Sequence, residues 1–76
     1  MIEARGRIAN LSVREREVLD WLTEGSSNKV IARRLEISPR TVEIHRANMM
    51  HKLGARHAAD AVRLRLEAKL EPNISA

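Results

Sequence analysis

The chain has no cysteine, and its one aromatic side chain is Trp21. Without Cys there can be no disulfide framework and no thiolate metal site. With one aromatic, the core has to be built from Leu, Ile, Val, Ala and Met. Such a core suits helices, and β-branched runs with strand alternation are missing. No apolar run approaches the roughly 18 residues of a membrane helix. Met1-Ile2-Glu3-Ala4-Arg5-Gly6-Arg7 lacks the apolar stretch of a signal peptide. These absences point to a soluble cytoplasmic protein, and the missing thiols are compatible with a reducing compartment. At 76 residues there is room for one domain. A domain this small buries only about 60% of its unfolded surface, so its stability is modest.

Charge is present and unevenly placed. The formal net charge is +4. Residues 1–26 carry four basic and five acidic groups, a net of −1. Residues 27–56 carry seven basic groups (Lys29, Arg33, Arg34, Arg40, Arg46, Lys52, Arg56) against Glu36 and Glu43, a net of +5. From residue 57 on, the charges balance. A local excess of this kind favours a polyanion through counterion release. A solvated basic face would read the same way from charge alone.

Residues 1–10 show no helical period and read as a linker or N-terminal arm. Helices are expected at about 12–24, 27–36, 38–53 and 57–70, which makes an all-α four-helix bundle with a helix-turn-helix at about 27–46. Ser12 and Glu15 have the spacing of a capping box at the start of the first helix. Leu11, Glu15, Val18, Leu19 and Leu22 form its stripe, and Gly25 ends it. Ser26-Ser27-Asn28 caps a short second helix with Ile31, Ala32 and Leu35 inward. Ser38-Pro39 restarts the chain: a capping hydroxyl, then a proline where the missing N–H costs nothing. Gly54 stops the third helix and Pro72 closes the fourth. Residues 71–76 read as a frayed tail.

On the third helix, Val42, Met49 and Leu53 make the buried stripe, with His45 and Arg46 beside them. The opposite side carries Arg40, Glu43, Ile44, Ala47 and His51. An apolar Ile44 and a small Ala47 facing solvent make sense if that face meets base edges. Arg pairs with guanine, Glu accepts from cytosine, and Ile or Ala touches a thymine methyl. Thr41, Asn48 and Lys52 lie on one flank, where phosphates would run. Asn28 and Lys29, at the start of the second helix, suit one phosphate through free N–H groups and the helix dipole. Simple capping accounts for them equally well, and an ordinary surface with one stray Ile accounts for the outer face.

The runs Leu11-Ser12-Val13-Arg14-Glu15-Arg16-Glu17-Val18-Leu19, Asn28-Lys29-Val30-Ile31-Ala32, Ile37-Ser38-Pro39-Arg40-Thr41-Val42-Glu43-Ile44-His45-Arg46-Ala47-Asn48 and Lys52-Leu53-Gly54 together closely resemble the LuxR/GerE-type helix-turn-helix domain. The resemblance covers about residues 9–70, and its central stretch looks most like the output domain of FixJ/NarL-type response regulators. It implies a bacterial transcriptional regulator that binds double-stranded DNA with the helix at 39–53 in the major groove. Positions matching Glu43, Ile44 and Ala47 would contact bases. Those matching Asn28, Lys29, Thr41 and Lys52 would lie near phosphates. We add Arg40 to the base-reading set and Arg46 to the phosphate set. The resemblance further implies dimerisation through the fourth helix, and either a receiver domain in a longer parent chain or a stand-alone regulator of the GerE kind; RNA polymerase is a further candidate partner. Three positions depart from the common pattern. Ala47 stands where many relatives are basic, Val30 where Glu is frequent, and Arg56-His57 where a Ser usually caps the fourth helix.

The fourth helix spreads Ala58, Ala59, Ala61, Val62, Leu64, Leu66, Ala68 and Leu70 over more than one side. Part must close the bundle, and the remainder, with Val62 and Leu66, suits self-association. The same residues are also simply good helix formers. Chemistry finds no foothold: there is no Gly-rich phosphate loop, no paired-carboxylate site and no nucleophile with a base. His45 and His51 are six residues apart, a turn of about 600°, and cannot share a metal as an i, i+4 pair does. No enzyme activity, cofactor or metal is expected. Two other classes compete. One is a protein-binding helical adaptor. The other is a promoter-binding sigma-factor region, which usually ends soon after the recognition helix.

Overall fold

The computed structural model describes residues 3–70, and every regular element in that range is an α-helix. There are five: α1 (Ala4–Ala9), α2 (Val13–Thr23), α3 (Asn28–Leu35), α4 (Pro39–Leu53) and α5 (Ala58–Leu70). The last four are the expected bundle, each starting one residue inside its expected range. Their first turns explain why. The Ser12 hydroxyl accepts the Glu15 N–H at 3.1 Å while the Glu15 carboxylate accepts the Ser12 N–H at 2.8 Å, a complete capping box. Ser27 accepts the Val30 N–H at 3.2 Å, and Ser38 accepts the Thr41 N–H at 3.1 Å with Pro39 behind it.

The ends of α2, α3 and α4 share one device. A residue with positive φ reverses the chain, and the next N–H reaches back to a carbonyl of the last turn. Gly25 and Gly54 do this without strain; between α3 and α4 the residue is Glu36, at φ 57°. There the Ile37 N–H reaches the Ala32 carbonyl at 3.0 Å, which draws α3 and α4 into a three-residue turn.

The core is aliphatic. Val18, Leu19, Ile31, Val42, Met49, Leu53 and Ala61 are fully buried or nearly so, and Trp21 is only half-buried at the edge. α4 packs on both α2 and α3, and α5 lies across α2.

The segment at 1–10 departs from its reading as a linker or arm without helical period. Ala4–Ala9 is a helix, and Ala4 and Ile8 are buried in the common core. It packs on α5 and touches α4, and the Arg7 guanidinium donates to the Leu53 carbonyl at 3.3 Å. Six residues with Gly6 inside and no capping side chain would not hold a helix alone. One i, i+4 apolar pair landing on the bundle does so instead. The expectations for Met1, Ile2, Pro72 and the tail at 71–76 lie outside the described residues.

The start of α5 is also better held than a missing Ser implies. The Asp60 carboxylate, in the first turn, accepts the backbone N–H of Arg56 at 3.1 Å. Arg56, His57 and Arg63 gather around it at 3.6–3.8 Å. The Arg56 N–H holds this carboxyl below the usual aspartate range. Partial burial works against that shift, and His57, Arg63 and the Arg56 guanidinium reinforce it.

Candidate nucleic-acid interface

The buried stripe of α4 turns Val42, Met49 and Leu53 inward, so the opposite face is set by helical geometry alone. Arg40 and Glu43 stand on it with side chains 80% and 55% exposed. Their ion pair is loose, 3.8 Å between charged atoms one turn apart, and constrains neither strongly. Ile44 is 49% exposed and Ala47 is exposed beside it. The four residues expected to meet bases therefore share one open surface, apolar at its centre and charged at its N-terminal end.

The five residues expected near phosphates are arranged less simply. Lys29 is exposed in the first turn of α3 and has no ion-pair partner among the described residues. The Thr41 hydroxyl lies 2.8 Å from the Ser38 hydroxyl at the start of α4. The other three take part in links between helices. Arg46 donates to the Asn28 side-chain carbonyl at 2.8 Å, fastening α4 to the first turn of α3. Lys52 donates to the Glu15 carboxylate at 2.8 Å, fastening the far end of α4 to the first turn of α2. Two struts thus hold the exposed face from either side. Each leaves donors over: the guanidinium has five N–H groups and the ammonium three.

Glu15 does more than complete the expected capping box, because the same carboxylate receives Lys52. Its residue surface is 4% exposed. Burial alone would raise its carboxyl. The Lys52 ammonium and the Ser12 N–H and hydroxyl outweigh that and hold it below the ordinary glutamate range. The signal was present, since a Glu on an otherwise apolar stripe needs a cation partner. Its partner, 37 residues away, could not be read from local spacing.

Not all the positive charge of residues 27–56 faces outward with α4. Arg34 lies over the Trp21 ring at 5.2 Å, and Arg56 sits against Asp60. On α5, Val62 is half-buried, while Leu66 and Leu70 are 48% and 83% exposed. His45 is half-buried, while His51 and His57 are exposed. Among the described residues no three His, Cys, Asp or Glu side chains are grouped to hold a metal ion. No described helix is long and apolar enough to cross a membrane.

Comparison with known proteins bears on the fold and the family. The family model for bacterial regulatory proteins of the luxR family matches residues 9–65. The transcriptional regulatory protein FixJ of Bradyrhizobium diazoefficiens is 52% identical over 62 residues, covering 82% of this chain and 30% of FixJ. FixJ of Azorhizobium caulinodans is 51% identical over 70 residues, 92% of this chain and 33% of that protein. The transcriptional regulatory protein UhpA of Escherichia coli is 45% identical over 60 residues, 79% and 31% respectively. The chain thus spans about a third of the length of these relatives. The crystal structure of full-length FixJ from B. japonicum superposes with a TM-score of 0.77 at 48% identity, covering 87% of this chain and 32% of that one. On fold, on motif and on descent the chain belongs to the luxR family of bacterial regulatory proteins, with the helix-turn-helix domain of the FixJ type.

Proposed function

We propose that this chain reads specific double-stranded DNA as the output domain of a bacterial response regulator, with α4 in the major groove. One observation carries the reading: Ile44 and Ala47 stand open on α4, beside Arg40 and Glu43, on a helix fastened from both sides. Nothing in the packing of the protomer needs an apolar centre on that face, whereas base edges and thymine methyls do. Lys29, Thr41 and the spare donors of Arg46 and Lys52, with Asn28 orienting Arg46, supply phosphate contacts that set register without reading sequence. Arg40, Glu43, Ile44 and Ala47 discriminate. Two copies associate through Val62 and Leu66 of α5 on paired half-sites. A receiver domain in the parent chain supplies the input, RNA polymerase is the downstream partner, and the site of action is the cytoplasm, on the nucleoid. The domain performs no catalysis and needs no cofactor.

Random-site selection on duplex DNA, followed by footprinting, tests this. The expected outcome is one recurring motif with two related halves, protected in the major groove. The affinity should fall steeply as salt rises, because each neutralised phosphate releases counterions. Enrichment of no motif, or an affinity indifferent to salt, would instead mark the outer face of α4 as a protein-docking surface.

A further inference from the structure

The struts from Asn28 and Glu15 hold two sides of α4, and a third contact holds its end. Leu53 is the last residue of α4, and its carbonyl has no partner within the helix. The neighbouring carbonyls of Met50 and His51 are taken by the N–H groups of Ala55 and Gly54. That of Leu53 receives the Arg7 guanidinium at 3.3 Å. The approach passes over Gly54, where an added Cβ would lie 4.0 Å from the same Nη1. Arg7 is itself anchored, because Ala4 and Ile8 on either side of it are buried in the core. A cation is also the favoured charge at the carboxyl end of a helix.

Resting on the DNA-reading function proposed above, we infer that Arg7 is a positioning residue for DNA recognition. It fixes the carboxyl end of α4, so the segment before the helix-turn-helix is a working part of the reading unit. α4 is about 22 Å long. Play at its carboxyl end tilts the whole rod, displacing Glu43 and Ile44 relative to the bases and Lys52 relative to the phosphates. Arg7 needs no DNA contact of its own for this.

The test uses the whole chain and a duplex from site selection. Arg7→Met keeps the aliphatic stem and removes the donor, Arg7→Lys restores a cation, and Arg5→Met removes the same charge from the same short helix. Arg7→Met should weaken binding about three- to tenfold, the scale of one lost intramolecular hydrogen bond. The slope of affinity against salt should not change. In the free domain, amide exchange at Gly54 and Ala55 should quicken several-fold. Arg7→Lys should recover most of both effects, and Arg5→Met should not quicken exchange at Gly54 or Ala55. A salt slope flattened by about one unit would make Arg7 a direct phosphate ligand and overturn the inference. So would unchanged affinity and unchanged exchange, or an equal quickening of that exchange in Arg5→Met. A wild-type chain that selects no duplex would sink the DNA reading itself, whereas a binding wild type with an indifferent Arg7→Met sinks only the inference.

Discussion

Each side chain on the outer face of α4 offers a base pair something different, and this is where specificity is to be measured. Glu43 accepts hydrogen bonds only, Ile44 offers only a methyl surface, and both stand open. Glu43→Ala and Ile44→Ala should each shift preference by about 1–3 kcal/mol at one base pair while leaving other positions of the motif alone. Repeating the site selection with each variant measures it, and an unaltered ranking of sequences would remove both from the reading face. Lys52 behaves otherwise because of Glu15. Replacing it by Ala removes a cation proposed to meet phosphate, which should weaken all duplexes alike and flatten the salt slope by about one unit. It also strips a buried carboxylate of its cation. A loss of about 1 kcal/mol should follow, seen as a melting temperature lower by roughly 4–8 °C. An unchanged melting temperature would mean that the strut contributes nothing to folding.

At the scale of the helix, two first-turn carboxylates set how the fold responds to acid. Glu15 in α2 and Asp60 in α5 each have a folded-state pKa held below its ordinary value, 4.5 and 3.8 respectively. A depressed carboxyl lends stability that is complete above its ordinary pKa and is lost as pH falls through the folded-state value. The urea midpoint should therefore be flat near neutrality and decline below about pH 4.5. Glu15→Gln and Asp60→Asn should be weaker at pH 6 and should lose less than wild type on going to pH 3. Parallel declines in all three would assign acid sensitivity elsewhere. α1 is the complementary case, an element made by packing. Ile8→Ala should cost about 2 kcal/mol or more as a cavity in the shared core, read from the same urea midpoints. A near-neutral result would mean that α1 does not belong to the cooperative unit.

These elements also mark where sequence was sufficient and where it was not. Ser12, Ser27, Ser38-Pro39 and Gly54 are local signals and place α2, α3 and α4 to within a residue, because a cap is a contact between near neighbours. The open face of α4 follows from its buried stripe by rotation alone. α1 was hidden because nothing local favours it: Gly6 opposes it, and only the distant surface of α5 makes burial of Ala4 and Ile8 worthwhile. Glu36 was hidden for the opposite reason, as a residue that does not normally take the left-handed region yet closes the turn on which the α3–α4 crossing depends. The struts of Lys52 and Arg46 span 37 and 18 residues, beyond any spacing rule. Both tie residues expected at phosphates into the protein, so under the proposed function the same cations would hold α4 and meet the duplex.

On the scale of the whole molecule, one recognition helix covers too few base pairs for a regulator to find its site. A second copy bound to the same duplex multiplies affinity without any new kind of contact. Leu66, 48% exposed on α5, offers an apolar surface that the protomer leaves uncovered. Leu66→Glu places a charge there without opening a cavity, so its stability should stay within about 0.5 kcal/mol of wild type. Binding to a single half-site should be unchanged apart from a slight electrostatic loss. Binding to two half-sites spaced by one helical turn, about 34–36 Å, should weaken about tenfold or more and lose its cooperativity. Titrations of one-site and two-site duplexes, with sedimentation of the free domain, separate the effects. If both duplexes weakened equally, Leu66 would act within the protomer or on DNA, and the surface joining two copies would have to be sought away from Leu66.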